Sequence, residues 1–290
     1  MLKNIKYYGL AFASSMSYSY WLIGSAFAVS IESGEYDYLS LFLIMFFSLI
    51  LSILFFKKIG KILFTGILSG LAFSVGNLLL YLLIGKINIV IAGSFTALNL
   101  VFFPLFIYPG SKKNLIKHIS GSAIVSAGLI VESLTIGNFK TDLFIISIII
   151  GVLLGLIYAL ATYLFNLSLI KENDVKNTIF TIFLTETVFY GIFSVVLKNY
   201  STNIFYNWLF LINVVLVAIS LFAGLYLEAR GFKGFKRKEF EERNIVNILS
   251  NLELLPIIIV SIIVYSNLIV FYISGLALII IGMVLISIKI

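Results

Sequence analysis

The sequence predicts an all-α integral membrane protein with ten transmembrane helices, arranged as two inverted five-helix repeats with both termini in the cytoplasm (N-in/C-in). Three observations predict it: the composition, the length of the uncharged runs, and patterns that recur half a chain apart. Of the 290 residues, 61% are hydrophobic and 11% are charged, whereas soluble domains carry about 25% charged residues. Too few polar side chains remain to solvate a globule. The composition therefore excludes a soluble enzyme, a nucleic-acid-binding protein or a disordered protein as an interpretation of the whole chain.

Long uncharged runs define the candidate spans, because a membrane-crossing helix needs about 20 mostly apolar residues. A β-barrel would show alternating segments of about ten residues instead. The first run exceeds the apolar core of a signal peptide and no cleavage site follows it, so we interpret it as a retained helix. The uncharged run from Leu254 to Ile288 is divided into a hairpin at Tyr265–Asn267. The predicted spans are 7–29, 38–56, 62–84, 87–108, 117–136, 143–169, 178–197, 206–227, 244–265 and 267–288.

The basic residues predict the orientation, because cytoplasmic loops collect Lys and Arg. With the N-terminus inside, all but three of the 20 Lys and Arg residues lie in inside segments, and the exceptions are Lys86, Lys140 and Lys198. The net charge of +7 is thus interpreted as a topology signal, and no nucleic-acid partner is expected. The segment 233–243 is either a solvated loop or a contact to anionic lipid head groups. We expect a multi-pass protein of the cell membrane.

Two patterns indicate an internal duplication. The motif N-L-x-x-x-P occurs at Asn99–Pro104 and again at Asn251–Pro256, 152 residues later. In the following span, I-S-G-x-A with a later Gly and Ser starts at Ile119 and again at Ile273, 154 residues later. Residues 1–140 are therefore predicted to form the first five-helix repeat and residues 141–290 the second. Because five is odd, the second repeat is inverted, an arrangement found in secondary transporters.

At this point the sequence resembles the drug/metabolite transporter superfamily, EamA type. The resemblance rests on the ten-helix organisation and on the patterns Ala97–Pro104 with Gly121–Gly128, and Ser250–Pro256 with Gly275–Gly282. It covers essentially the whole chain. It implies export, uptake or exchange of a small metabolite, such as an amino acid or a sugar, driven by a gradient.

Two carboxylates interrupt the apolar spans, Glu186 in the seventh and Glu253 in the ninth. A charge at the centre of the membrane costs about 2.5–3.5 kcal/mol or more, so such residues often have a function. They are interpreted as groups for proton or charge coupling, or as contacts to a cationic substrate. The alternative is that they are hydrogen-bonded glutamates that only hold helices together.

Other polar and aromatic residues at membrane depth are candidates for substrate binding. Asparagines that hydrogen-bond between helices contribute roughly 0.6–2 kcal/mol each, so a purely structural role is the alternative for each of them. Two prolines, Pro104 and Pro256, are predicted to kink their helices, because proline removes a backbone hydrogen bond. The candidate substrate-binding residues are Asn77, Asn99, Asn251, Asn247, Tyr158, Asn166, Trp21 and Tyr18.

The function predicted from these observations is secondary active transport of a small metabolite by alternating access, as an exporter or an exchanger. The alternatives are a passive channel or facilitator and, as the weakest, an intramembrane enzyme. No cofactor and no metal site are expected, since the chain has no cysteine, one histidine (His118) and no phosphate-binding loop. The expected partners are a small-molecule substrate and membrane lipid, and the chain is expected to be a monomer or a homodimer.

Overall fold

The computed structural model consists of helices packed side by side, and all regular secondary structure in its described residues is helical. It describes residues 2–31, 38–86, 89–107, 112–136, 144–172, 174–197, 207–236, 239–253, 256 and 269–287. The helices are α1 (Leu2–Ile31), α2 (Tyr38–Phe56), α3 (Phe64–Lys86), α4 (Ile89–Thr96), α5 (Asn99–Ile107), α6 (Lys112–Ile136), α7 (Phe144–Glu172), α8 (Val175–Leu197), α9 (Trp208–Lys233), α10 (Phe240–Ser250) and α11 (Ile269–Ser287).

Six of the helical segments in the described residues are long and apolar enough to cross a membrane. They are Tyr38–Phe56, Phe64–Ile84, Asn114–Val131, Ile146–Glu172, Val175–Val196 and Trp208–Lys233. The all-α part of the prediction is therefore confirmed for the described residues, and the six apolar helices are compatible with a membrane-embedded protein. The count of ten spans, their orientation and the choice of membrane stay predictions. The predicted hairpin turn at Tyr265–Asn267 lies outside the described residues.

The outer surface of the helix bundle is apolar, whereas hydroxyl groups lie inside it. Leu54 is 68% exposed and Val195 is 72% exposed, while Ser48 and Ser74 are fully buried. The buried hydroxyls donate to backbone carbonyls one turn earlier in the same helix, as Ser48 does to Ile44 at 2.9 Å and Ser74 to Gly70 at 2.8 Å. Large exposed apolar surface is stable only in an apolar solvent. This distribution fits a bundle surrounded by lipid.

Helices are interrupted at two places in the interior. A turn at Ala97–Leu98 separates α4 from α5. The Ala97 carbonyl accepts from the Ser126 hydroxyl at 2.7 Å and from the Leu100 amide at 3.0 Å. The second interruption begins where α10 ends at Ser250, and it occupies Asn251–Glu253. Non-helical backbone at membrane depth is tolerated only inside protein or beside a cavity.

Both interruptions lie before the prolines that were predicted to kink these helices. Pro104 is inside α5, seven residues beyond Ala97, and Pro256 follows the turn at Asn251–Glu253. The backbone thus departs from helical geometry beside the two asparagines of the repeated motif, Asn99 and Asn251.

The eighth predicted span is longer in the structure than the sequence suggested. We expected it to end at residue 227 and a longer connecting segment to cover 228–243. Instead α9 runs from Trp208 to Lys233 and α10 begins at Phe240, so the connection is short. The start of α9 agrees better, because the Asn207 side chain caps it by accepting from the Phe210 amide at 3.2 Å. At the other end of α9, Arg230 and Lys233 had suggested a loop, but they lie in the last turn of the helix.

The set of packed helix pairs stays the same when the two predicted sequence halves are exchanged. The main packing partner of α1 is α9, and that of α3 is α7. In the predicted repeat these are the first with the eighth span and the third with the sixth, so each pair is the counterpart of the other. In the pairs α2 with α8 and α6 with α11, each helix packs against its own counterpart in the other half. Such reciprocal pairing is what a two-fold axis between two similar units produces.

The crossing of α6 and α11 follows the same pattern residue by residue. Gly128 approaches the Gly275 carbonyl so closely that an added Cβ would lie 2.6 Å from its oxygen, and Gly282 approaches the Gly121 carbonyl to the same 2.6 Å. The sequence offset of 154 relates Gly121 to Gly275 and Gly128 to Gly282. Each close contact is therefore the counterpart of the other. Small residues permit such close helix packing in membranes.

Replacing Gly128 by Ala should destabilise the protein, because its methyl group would meet the backbone of α11, which cannot move aside locally. Overpacking of this kind costs about 1–3 kcal/mol. The matched control is Gly9→Ala, since nothing lies within 4 Å of a Cβ at Gly9. Thermal unfolding in detergent should show a lower midpoint for Gly128→Ala alone. Equal midpoints for the two variants would contradict the close crossing of α6 and α11.

Candidate functional site

A cavity lies in the interior, where the two helix interruptions meet. Its free volume is about 70 Å³, so the cavity is narrow. Its walls come from α1, α3, the α4–α5 turn, α7, α8, α9 and the segment after α10. They consist of Tyr18, Trp21, Phe73, Asn77, Thr96, Asn99, Tyr158, Thr162, Ile182, Phe183, Glu186, Leu221, Leu225, Glu228, Asn251 and Glu253.

One wall holds a chain of hydrogen bonds across α7, α3 and α8. The Tyr158 hydroxyl donates to Asn77 Oδ1 at 2.5 Å. The Asn77 amide in turn donates to Glu186 Oε1 at 3.1 Å. All three side chains are buried, and the ring of Tyr158 packs against Gly76. This series of hydrogen bonds fixes one oxygen of Glu186, and no hydrogen bond from a described residue reaches its second oxygen.

The opposite wall holds a related arrangement on α1, α9 and α10. The Tyr18 hydroxyl donates to Glu228 Oε2 at 2.7 Å, and the Ser250 hydroxyl lies 3.2 Å from Glu228 Oε1. The Tyr18 ring packs against Gly224 as the Tyr158 ring packs against Gly76. A tyrosine thus lies on a glycine of the facing helix in both of the counterpart pairs, α1–α9 and α3–α7.

The third carboxyl group lies at the interruption after α10. Glu253 Oε1 is 2.9 Å from the hydroxyl of Thr96, the last residue of α4. The Glu253 carbonyl accepts from the Ser19 hydroxyl at 2.5 Å. Glu253 is 6% exposed and Thr96 is 5% exposed. The segment after α10 is therefore held to α1 and to α4. Both contacts depend on the interruption, because a continuous helix would direct the Glu253 carbonyl and carboxyl groups elsewhere.

The two asparagines of the repeated motif contact each other. Asn99 Nδ2 donates to Asn251 Oδ1 at 3.0 Å, and Asn251 Nδ2 donates to the Asn247 carbonyl at 2.8 Å. Asn99 Oδ1 is buried without a hydrogen-bond partner among the described residues. The cavity thus lies beside a direct contact between two positions that the sequence duplication relates.

The predicted site residues fall into two groups. Asn166 and Asn247 are buried but do not line the cavity: Asn247 Oδ1 accepts from Asn251, whereas Asn166 has no partner in the described part of the chain. Glu253 and Asn251 share one cavity although a regular helix would separate them by about 200°, because the helix is interrupted there. The other predicted residues that line the cavity are Tyr18, Trp21, Asn77, Asn99, Tyr158 and Glu186.

Glu228 lines the cavity although it was not predicted as a site residue. It had been assigned to a loop because Arg230 and Lys233 follow it closely. A signal was present: Leu221, Leu225 and Glu228 recur at helical spacing and all line the cavity. The seventh span, α8, contributes Ile182 and Phe183 to the wall beside the predicted Glu186.

Three phenylalanines pack together about one helical turn beyond the cavity residues. They are Phe103, Phe165 and Phe232, each fully buried and each three or four residues beyond a cavity residue on α5, α7 or α9. The Phe232 ring lies 6.2 Å from the Phe103 ring and 6.3 Å from the Phe165 ring, centroid to centroid. The guanidinium carbon of Arg243 lies 5.7 Å from the Phe232 ring centroid. We call these three phenylalanines the aromatic plug, and it lies toward the ends of α7 and α9 that carry basic residues.

Beyond the aromatic plug, a buried polar cluster joins α6 to α10. The Asn244 amide lies 3.1 Å from His118 Nδ1, and Lys117 pairs with Glu241 at 3.6 Å. Arg243 and His118 are 2% and 1% exposed. In the part of the chain that the structure describes, no group of three or more His, Asp or Glu side chains could hold a metal ion. The hydrogen bond and the ion pair therefore hold α6 against α10.

Comparison with known proteins identifies a fold and no family. No family model matches the sequence, and no curated protein matches it either. A solved structure described as "Crystal structure of protein" matches 95% of this chain and 96% of its own chain, with a TM-score of 0.65 at 14% sequence identity. The fold is therefore similar to that structure over nearly the whole length of both chains.

A cysteine at Thr162 should react with a small water-soluble thiol reagent, because Thr162 lines the cavity, whereas one at Ala161 should be protected by packing against α3. The chain has no cysteine of its own, so each variant carries one thiol. We expect at least about tenfold faster modification of Thr162→Cys, since exposure controls thiol reactivity. Modification of purified protein can be followed by mass spectrometry. Equal rates would show that the cavity is not reached from water.

Proposed function

We propose that this protein is a secondary active transporter of the drug/metabolite type, which moves a small metabolite across the cell membrane by alternating access. It would work as an exporter or an exchanger. The observation that carries the proposal is the cavity at the meeting point of two interrupted helices, Thr96–Asn99 and Ser250–Glu253. Transporters place ligand groups at interrupted helices near the middle of the membrane, between inverted repeats.

The helix pairing supports two similar halves of opposite orientation. In this proposal residues 1–140 and 141–290 each contribute five spans, and α4–α5 and the α10 segment are counterparts. The reciprocal pairs α1–α9 and α3–α7, and the glycine crossing of α6 with α11, are the contacts that such a relation requires. Two units of this kind can exchange conformations, which would exchange an inward-open state for an outward-open one.

A channel is a weaker explanation of the same cavity. A conduction path requires a continuous lumen or a ring of like groups, whereas the packed rings of the aromatic plug lie beyond this cavity. An enzyme is weaker still. Catalysis at this depth would need a cluster of reactive groups, and the polar groups of the walls are mostly carboxamides, hydroxyls and carboxyls held by neutral partners.

Reconstituted protein should catalyse solute exchange that saturates. Proteoliposomes loaded with an unlabelled solute should accumulate the same labelled solute from outside transiently, because the internal unlabelled solute competes with the label for exit through the carrier. Protein-free liposomes provide the control. A screen of amines, amino acids and sugars by this counterflow assay would identify the cargo. Flux that rises linearly with concentration and is not stimulated by internal solute would favour a channel and contradict the proposal.

Linking the aromatic plug covalently should stop transport, because cargo cannot pass while Phe103 and Phe232 are joined. The double variant Phe103→Cys/Phe232→Cys, treated with a short bifunctional thiol reagent, should lose exchange activity. Each single cysteine variant treated in the same way provides a matched control and should keep its activity. If the linked protein still exchanges solute, then the plug does not open during transport.

A further inference from the structure

We infer that the cargo is a small organic cation that carries a protonated amine, bound between Glu186 and Glu253 against the aromatic faces of the cavity. This inference rests on the proposed transport function and narrows its substrate class. It comes from three independent properties of the walls: their charge, the kind of hydrogen-bonding groups left without partners, and their aromatic surface.

The groups of the cavity that can carry a charge near neutral pH are all acidic. Three carboxyl groups line it, those of Glu186, Glu228 and Glu253, and no Lys, Arg or His is among the described lining residues. Their hydrogen-bond partners are neutral: Asn77, Tyr18, Ser250 and Thr96. The guanidinium of Arg243 lies against Phe232, which belongs to the aromatic plug. A cation is therefore the ligand whose charge complements this site.

The three carboxyl groups differ in how many of their oxygens take part in hydrogen bonds with described side chains. Glu228 uses both oxygens, one toward Tyr18 and one toward Ser250. Glu186 and Glu253 each use only Oε1 in a hydrogen bond with a described side chain. The protein thus holds both groups in place and leaves one oxygen on each without a hydrogen bond to a described side chain. Glu228 instead positions Tyr18 and the end of α10.

Asn99 supplies a further acceptor. Its amide nitrogen donates to Asn251, while its Oδ1 is buried without a partner in the described part of the chain, and the side chain is 2% exposed. An oxygen in this position can be satisfied only by a hydrogen-bond donor. An ammonium group has three donors and no acceptor. It matches one free oxygen on Glu186, one on Glu253 and the Asn99 carbonyl better than a hydroxyl or a carboxylate does.

Aromatic side chains supply the rest of the walls. The cavity is lined by Tyr18, Trp21, Phe73, Tyr158 and Phe183. Aromatic ring faces attract cations, most strongly when both are removed from water. Trp21 Nε1 is a buried donor without a partner among the described residues, so the cargo can also carry one acceptor, such as a hydroxyl or a carbonyl oxygen. The narrow volume limits the cargo to a small amine.

Ligand-induced thermal stabilisation of the purified full-length protein tests the charge preference directly. The probes share one skeleton and differ in charge: phenethylamine is a cation, phenethyl alcohol is neutral and phenylpropionate is an anion. Butylamine and putrescine extend the series to amines without a ring. We expect amines to raise the unfolding temperature in a saturable way, and the alcohol and the anion to have little effect. Stabilisation by the alcohol or the anion as strong as that by the amines would overturn the inference.

Variants of the cavity carboxyl groups identify the binding groups. Glu186→Gln and Glu253→Gln should each weaken amine binding at least about tenfold, since each removes a charge at the ligand while it preserves the side-chain shape. Glu172→Gln is the matched control, because Glu172 is an exposed carboxylate at the end of α7. If both cavity variants bind amines as the unchanged protein does, the inference is wrong.

A labelling experiment tests the same idea without removing any carboxyl group. In Thr162→Cys, the cationic reagent aminoethyl methanethiosulfonate should react faster than the anionic sulfonatoethyl reagent, by more than the ratio measured for a free thiol in solution. Equal corrected rates would contradict an acidic cavity. This measurement stays informative if a glutamate variant fails to fold.

The outcomes separate the inference from the proposed function. If amines bind but counterflow shows no exchange of them or of any other solute, the cavity chemistry stands and the transport proposal fails. If counterflow shows exchange of a neutral or anionic solute while amines neither bind nor exchange, transport stands and the cationic cargo is overturned. In that second case Glu186 and Glu253 would serve proton coupling instead.

Discussion

Hydrogen bonding in an apolar surrounding is the constraint on which this structure depends. A polar group that is buried in hydrocarbon without a hydrogen-bond partner costs several kcal/mol. The outer surface of this bundle is apolar and does not supply such partners. Serine hydroxyls therefore bond to carbonyls of their own helix, as Ser48 does. The larger polar side chains, such as Asn77 and Glu228, find partners on neighbouring helices. Because such partners lie in the interior, polar residues of α1, α3, α7, α8 and α9 meet at the cavity.

The interrupted helices extend this principle from side chains to the backbone. Ending α4 at Thr96 and α10 at Ser250 leaves carbonyl and amide groups that need new partners, which the interior supplies through side chains such as Ser126 and Ser19. In return, the turns allow neighbouring residues to face the same space. Asn251 and Glu253 line one cavity only because α10 ends at Ser250, directly before them. The polar site is thus a product of local backbone geometry as much as of composition.

Sequence reasoning predicted what depends on local pattern and missed what depends on packing. The apolar run 38–56 coincides with α2, because length and hydropathy are properties of the segment itself. Isolated polar residues in such runs, such as Glu186, were recognised for the same reason. Glu228 was missed because the basic residues after it look like the end of a span, and only its burial against α1 shows its role. The turn at Ala97–Leu98 contains no helix-breaking residue. It depends on Ser126 and on the close approach of Gly155 in α7, which no local pattern reveals.

The direct bond between Asn99 and Asn251 has a mechanical consequence. Under the proposed exchange of halves, a contact between a residue and its own counterpart joins the same two residues before and after the exchange. The glycine seam of α6 with α11 also keeps its residues, because its two close contacts are converted into each other. The Asn99–Asn251 bond belongs to the first class, with its donor and acceptor exchanged. The contact of Phe103 with Phe232 does not, because its counterpart involves different residues. The asparagine bond would therefore act as a stationary pivot, about which the walls rock while the ends of the cavity open in turn.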